Sequence, residues 1–580
     1  TAENILGVLS LITWSLIVVV GIKYIVLALS ADNHGEGGIL ALTVLVSRRL
    51  PKRTPYRSLV IAVGLFAAAL LYGDGMITPA ISILSAVEGL KVAVPGLASY
   101  VVPIAVVLLA LLFLAQKKGT AAVGFVFGPV TLVWFFVLAL VALPSVFSTP
   151  IVLTALNPLD AVSFFVRNRG PGFLVLGSVF LVVTGAEALY ADLGHFGRAP
   201  IRRAWYGVVL PGLLINYFGQ GALLIRQPAA VENPFYLLAP RWALYPLIGL
   251  ATAATIIASQ AVISGAFSLT RQALQLGYWP RTEIVHTSEG QAGQVYVPTM
   301  NRILFATTTA LVIIFGSSGR LAGAYGVAVS STMVVTTVLL MMCARGNWGY
   351  NLYAVLAVGG ALLAGDLAYF TANMFKVVEG GWIPLSVAAL VYVTMTVWKR
   401  GREVLDRRLH DADLSVEYFI DELAKHKVPR VPGTAVYLTS RTEGVPHALL
   451  HNLKHNKIVH EDIILLTIDQ EEIPRVKRGE HVEILELGPG FHRVIAHYGF
   501  MESPKVPAVL RQARAHGLER EVADTTFFLA RENVRWQKSR LMSRPASALF
   551  AFLLRNAQQA TLHYGIPPNQ VVELGEQIRL

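Results

Sequence analysis

Val182-Val183-Thr184-Gly185-Ala186-Glu187-Ala188-Leu189-Tyr190-Ala191-Asp192-Leu193-Gly194-His195-Phe196-Gly197 closes an apolar run that begins near residue 172. A helical run of roughly 20 apolar residues crosses a hydrocarbon core of ~30 Å. Glu187 interrupts this one, and a carboxylate at bilayer depth is costly unless it is paired or lines a wet cavity. Thr184, three residues earlier, shares its helical face. Gly185 offers a place to unwind, and broken helices with polar groups near the midplane are how many transporters bind ions. The plainer alternative is a Glu hydrogen-bonded to a neighbouring helix. Tyr190 and Asp192 extend the polar face toward the inner end of the span, where Asp192 and His195 are candidate gate or cap residues.

Ten further runs of this kind follow from the same rule, so the chain is expected to be an all-α polytopic membrane domain. The eleven predicted spans are 5–29, 58–82, 100–115, 121–143, 172–193, 204–225, 246–270, 299–315, 321–344, 350–372 and 380–398. Composition agrees: 54% of the 580 residues are hydrophobic and 14% charged, against about 25% charged in soluble domains. Mean hydropathy is +0.57. Residues 399–580 differ, with 26 Lys+Arg and 23 Asp+Glu, where residues 1–398 hold 22 and 13. The expected domains are therefore a transport domain over 1–398 and a small cytosolic α/β domain over 399–580. Within the latter, Thr434–Leu438, Asp462–Ile468, Val482–Leu487, Arg493–Tyr498 and Thr526–Leu529 are predicted strands, and Ser415–His426, Pro446–Lys454, Val506–His516 and Ala546–Arg555 predicted helices.

The formal charge of +12 is no signal for nucleic acid, because the basic excess lies in short loops between spans. Fourteen basic residues fall in one alternating set of loops, among them Arg48, Lys52, Arg53, Arg198 and Arg345, against seven in the other. The positive-inside bias makes the richer set cytoplasmic and puts the tail on that side. Parity then leaves Thr1 outside and predicts a twelve-span parent with one span before Thr1. The single Cys343 excludes an internal disulfide and a cysteine metal cluster. No cofactor is expected, and no HExxH, Ser-His-Asp pattern or phosphate loop marks an enzyme.

Other carboxylates stand in or near the spans. Asp74 lies in Tyr72-Gly73-Asp74-Gly75-Met76-Ile77-Thr78-Pro79-Ala80, where two glycines and a proline are expected to weaken the helix and free carbonyls. Thr78, four residues on, shares its face. Carboxylate, hydroxyl and carbonyl oxygens are hard donors suited to an alkali cation; a helix-terminal Asp at the interface is the alternative. Glu88, near the outer end of that span, divides evenly between pathway and interface. Ser259 and Gln260 in the seventh span could line a pathway or serve as interhelical glue. Asp366 is expected to be structural in a peripheral span, Lys23 to snorkel to the interface, and Ile39–Val46 to form a short amphipathic segment there.

Several runs closely resemble the Kup (KUP/HAK/KT) potassium uptake family: Ala31–Gly38 (ADNHGEGG), Tyr72–Gly89 (YGDGMITPAISILSAVEG), Thr184–Gly197 (TGAEALYADLGHFG), Asn216–Ala222 (NYFGQGA), Ala258–Gly265 (ASQAVISG), His286–Glu289 (HTSE), Val431–Tyr437 (VPGTAVY) and His451–Lys457 (HNLKHNK). The likeness runs the length of the chain. It implies K+ uptake coupled to H+ across a bacterial inner membrane, on the LeuT-like inverted-repeat fold of amino acid–polyamine–cation carriers. In that fold the first and sixth helices are broken around the site; the fifth span here stands for the sixth, and the family's first helix, with its GDIGTSPLY-like motif, precedes Thr1. The resemblance places K+ at Asp74, Thr78, Thr184 and Glu187, with Glu187 or Asp74 carrying the proton. Expected partners are K+, H+ and the bilayer, with a homodimer through the tail. Two rivals remain: a polyamine or amino acid carrier on the same fold, and a membrane-anchored sensor acting through its tail.

Overall fold

A computed structural model describes residues 1–51, 54–118, 121–286, 295–410, 414–477, 479–518, 525–535 and 542–579. It divides into two compact units, Thr1–Thr270 with Ile284–Tyr392, and Arg271–Glu283 with Val393–Leu580.

Among the described residues, eleven helices are long and apolar enough to cross a membrane. In order they are Ala2–Ser30, Pro55–Ala93, Pro95–Ala115, Phe125–Ser148, Pro158–Ala191, Arg198–Arg226, Arg241–Gln275, Pro298–Phe315, Ser318–Gly346, Leu352–Met374 and Trp382–Arg408. Each matches a predicted span. The second is the longest at 39 residues, about 58 Å of helix at ~1.5 Å per residue, so its ends extend beyond the hydrocarbon. It starts at Pro55, with the Thr54 hydroxyl accepting from the Arg57 amide at 3.3 Å, a cap followed by a proline that has no amide to lose. It then runs unbroken through Gly73, Gly75 and Pro79, so the weakening expected at Asp74 does not occur. Packing on both sides holds the helix, and the local effect of Pro79 is confined to the Gly75 carbonyl, to which it has no amide to offer.

The first span winds as a π-helix over Leu16–Leu27, a wide turn that often marks functional positions. Both Lys23 and Tyr24 are buried there. The expected interfacial segment is a helix, Ile39–Ser47, but it is buried nearly throughout and packs against the second and ninth spans. Its sequence, ILALTVLVS, is apolar on all sides, and such a helix goes inside rather than to an interface. The second span comes so close that a Cβ on Gly64 would lie 2.0 Å from the Thr43 hydroxyl. Between the eighth span and the seventh, β1 (Val285–His286) pairs antiparallel with β2 (Val295–Tyr296); Thr287–Glu289 of the HTSE motif lie outside the described residues, as do Lys52 and Arg53.

The second unit is an α/β domain. Its strands are β3 (Arg430–Thr439), β4 (Val459–Glu471), β5 (Val482–Gly488), β6 (Phe491–Gly499), β7 (Thr525–Arg535) and β8 (Val571–Arg579). They form one sheet in the order β5-β6-β4-β3-β7-β8, parallel except for the β5–β6 pair. Side chains alternate across the two faces. Val436, Ile464, Leu466 and Val494 enter one core with the helix Val506–Ala515. Ala435, Tyr437, Ile463 and Leu465 enter the other with Val416–Lys425 and His447–Asn456. A parallel sheet with both faces covered reads as unbroken apolar runs, which is why its central strands were legible. β8 was not: Val571-Val572-Glu573-Leu574-Gly575-Glu576 is polar and pairs only with β7, at the edge.

Two measurements probe these packings. Gly64→Ala should destabilise the membrane unit by about 1–3 kcal/mol through overpacking, seen as a lower melting temperature in detergent, with Thr43→Ala restoring part of it. In the tail, burial beside the Arg281 and Lys505 charges pushes the His563 imidazole down from 6.5 to about 4. The fold therefore favours neutral His563. Its stability is full above pH 6.5 and declines as pH falls toward 4, because the unfolded chain takes up the proton first. Thermal unfolding should show this loss, and His563→Asn should lessen the slope in that window.

Candidate functional site

The fifth span is broken where Gly185 suggested. The segment Pro158–Val179, itself kinked at Arg169 (φ 46, ψ −125), tightens into a 3-10 turn over Phe180–Val183, then Thr184 is extended (φ −65, ψ 152) and Gly185 left-handed (φ 84) before a new helix, Ala186–Ala191. A Cβ at Gly185 would meet nothing within 4 Å, so the backbone angle, not crowding, calls for glycine. The Thr184 hydroxyl donates to the Leu181 carbonyl at 2.7 Å, closing the end of the first segment.

Glu187 sits in the first turn after this break and is buried. One of its oxygens, Oε1, accepts from the Thr336 hydroxyl at 2.8 Å and from the Tyr24 hydroxyl. Directly alongside, Asp366 Oδ2 accepts from Lys23 Nζ at 2.7 Å and from the Thr337 hydroxyl at 2.5 Å. Lys23 also donates to the Met333 carbonyl at 3.0 Å. Two pairs of adjacent residues thus bind the same two carboxylates: Lys23-Tyr24 on the first span and Thr336-Thr337 on the ninth.

This corrects one expectation. Lys23 does not snorkel; its side chain is 0% exposed and forms an ion pair with Asp366. Asp366 stands on a span that is mostly exposed, but is itself buried where that span meets Lys23 and Thr337. Once a carboxylate is buried that deeply, an ammonium on a flexible stem is held inward by the pair.

A second cluster surrounds Asp74, which is also buried. The Thr78 hydroxyl donates to Asp74 Oδ1 at 2.6 Å, and its oxygen lies 3.0 Å from the Tyr325 hydroxyl. Tyr325 has Thr184 as a further hydrogen-bonding neighbour. The ninth span therefore serves both clusters. Tyr325 and Thr336 are eleven residues apart on one helix, about 16 Å along its axis.

The remaining predicted residues have other local roles. Glu88 accepts from the Ser318 amide at 3.0 Å and from the Ser318 hydroxyl, a carboxylate at the positive start of the ninth span. The Tyr190 hydroxyl donates to the Ala31 carbonyl at 2.6 Å, tying the ADNHGEGG loop to the fifth span. Asp192 joins the end of Ala186–Ala191 to the short helix Leu193–Phe196. Ser259 donates to Thr255 in its own helix, and Gln260 pairs with Gln116, so these two make their bonds away from both carboxylate clusters. Tyr24, Tyr325, Thr336 and Thr337 were missed. Their only trace in sequence is a hydroxyl in an apolar run, a weak signal where Ser and Thr are ordinary.

The clusters offer carboxylate and hydroxyl oxygens around a helix break, a donor set for a small hard cation. Comparison with known proteins shows the family. Residues 1–403 match the K+ potassium transporter integral membrane domain, and residues 432–580 the K+ potassium transporter C-terminal domain. The chain belongs to the K+ potassium transporter family. It is 53% identical to a probable potassium transport system protein Kup of Myxococcus xanthus, over all of this chain and 89% of that protein. Similar matches are Kup 1 of Geobacter sulfurreducens, at 53% and 92% of its length, and Kup 2 of Chromobacterium violaceum, at 51% and 93%. Within this family frame, the Lys23–Asp366 pair is a fixed element of the site's surroundings. Lys23→Met should cost about 3–5 kcal/mol by leaving a buried carboxylate uncompensated. Lys23→Met/Asp366→Leu should recover much of it, as read from thermal unfolding and the yield of monodisperse protein.

Proposed function

We propose that this potassium transporter takes up K+ together with H+ by alternating access, with Asp74, Thr78, Thr184 and Glu187 binding or guiding the ion. The observation that carries the reading is the charge arrangement at the break. Asp366 is met by Lys23, whereas the described hydrogen bonds to Glu187 come from hydroxyls. One fixed positive and two negative charges leave one negative charge in this cluster, and a single K+ or a single proton neutralises it. Competition of the two cations for Glu187 links their fluxes.

The hydroxyls fit both states. Tyr and Thr oxygens can turn their lone pairs toward a cation or their protons toward a carboxylate. The extended backbone at Thr184 adds a carbonyl oxygen of the kind that replaces a hydration shell, while the Gly185 carbonyl accepts from the Ala188 and Leu189 amides. Because the ninth span touches both clusters, a shift of that helix would change Asp74 and Glu187 together. We place the family's inverted-repeat fold, the bacterial inner membrane and a cytoplasmic tail in the same proposal, the last on the fourteen-to-seven distribution of loop basic residues.

The test is K+ uptake by Glu187→Gln across a range of external pH. Uptake should fall at least tenfold at neutral pH, and what remains should lose its dependence on external pH. Unchanged uptake with unchanged pH dependence would remove Glu187 from the coupling step.

A further inference from the structure

The carboxyl ends of β4 and β6 gather ionisable side chains at one point of the tail. Asp469 on β4 lies opposite His497 on β6 in the parallel register, and Glu471 follows two residues later on the same face. On the antiparallel β5, Glu483 pairs with Ile495, two residues from His497 and again on its face. Three adjacent strands thus turn three carboxylates toward one imidazole.

The contacts divide between the two ring nitrogens. Nδ1 of His497 lies 3.3 Å from Glu471 Oε1 and 3.6 Å from Asp469 Oδ2, while Nε2 lies 3.6 Å from Glu483 Oε2. One donor atom from each of Asp469, Glu471 and His497 falls within 4.8 Å of the other two. Among the described residues, no Lys or Arg pairs with any of the three carboxylates. Three negative charges therefore face at most one positive charge, that of a doubly protonated ring. The His497 side chain is 23% exposed, and the carboxylates around it open to water.

The imidazole makes this more than an acidic patch. A neutral ring carries one N–H and one lone pair. With the N–H at Nε2, toward Glu483, the Nδ1 lone pair is directed at two anionic oxygens, and three electron-rich atoms face one another. With the N–H at Nδ1, its single proton serves only one of the two carboxylates there, and the lone pair faces Glu483 instead. A cation held by Nδ1, Asp469 and Glu471 satisfies all four groups at once. Metal-bound histidines commonly donate their other N–H to a carboxylate, which fixes the tautomer and the ring. Glu483 stands on the side of the ring where that carboxylate belongs.

Spacing and donor type select the ion. Bonds of ~2.1 Å at a tetrahedral centre hold donors about 3.4 Å apart, close to the 3.3 and 3.6 Å around Nδ1. One imidazole nitrogen with two carboxylate oxygens suits Zn2+, with water as the fourth ligand. Ca2+ and Mg2+ take oxygen shells and would leave the imidazole idle.

We propose that Asp469, Glu471 and His497 bind a zinc ion on the tail, with Glu483 positioning the His497 ring. All four residues stand on paired strands of one sheet, a rigid base that places ligands more closely than loops do.

The test is calorimetric titration of the full-length protein, free of any polyhistidine tag and stripped with chelator, in nanodiscs of neutral lipid. Zn2+ should bind saturably, one per chain, and Ca2+ and Mg2+ at least tenfold more weakly. His497→Gln and Asp469→Asn/Glu471→Gln should each weaken Zn2+ binding at least tenfold, and Glu483→Gln about tenfold, as loss of an outer partner does. Co2+ in place of Zn2+ should give the intense visible absorption of a four-coordinate ion, lost in His497→Gln. Glu422→Gln, which alters a separate His–Glu pair on the helix Val416–Lys425, should change nothing, and all variants should melt as the parent does without metal. Absence of saturable Zn2+ binding overturns the proposal, as does binding indifferent to the substitutions at Asp469, Glu471 and His497. Ca2+ or Mg2+ binding as tight as Zn2+ binding removes the imidazole from the site and overturns it as well.

Discussion

A buried charge in a membrane protein must find its counter-charge and its hydrogen bonds inside the molecule, because lipid offers neither. In this protein that constraint is met by Lys23. Its ammonium reaches Asp366 and the Met333 carbonyl, while its neighbour Tyr24 reaches Glu187. The ninth span repeats the device with Thr336 and Thr337. The first, fifth, ninth and tenth spans are thereby joined at one place by charge-assisted bonds, which are stronger and more directional than apolar contacts. Since apolar packing alone gives little preference between helices in lipid, this junction fixes which faces turn inward.

The same junction explains why only one of the two candidate carboxylates needs a broken helix. Glu187 is placed by the break at Thr184–Gly185, where the backbone itself changes direction. Asp74 stands on a continuous helix and takes its surroundings from Thr78, one turn along, and Tyr325 across the interface. One site is made by backbone, the other by side chains on intact helices. A long ninth span passing both gives the two a common mechanical element.

The tail follows different rules, those of water. Its six-stranded sheet is covered on both faces, and its register brings Asp469, Glu471 and Glu483 around His497. None of those residues is unusual in sequence; Asp469 and His497 are 28 positions apart, and only folding gathers them. The contrast with Asp74 is instructive. Asp74 was conspicuous because a carboxylate in an apolar run breaks a pattern, whereas a carboxylate in a mixed soluble segment breaks none.

What the sequence determined by itself was whatever depends on local pattern. Spans follow from the length of apolar runs, the tail's central strands from short β-rich runs, and the break from a glycine beside Thr184 and Glu187. Family membership was legible for the same reason, through long contiguous motifs such as TGAEALYADLGHFG. Tertiary structure decided the rest, because partners distant in the chain carry no mutual mark. Lys23 and Asp366 are 343 residues apart, and read alone each had a plausible solitary role. The buried Ile39–Ser47 helix and the unbroken second span were likewise settled by neighbours, the one by the spans that cover it and the other by packing that holds a proline in line. Burial is a property of what surrounds a residue, and a pair exists only once both members are placed.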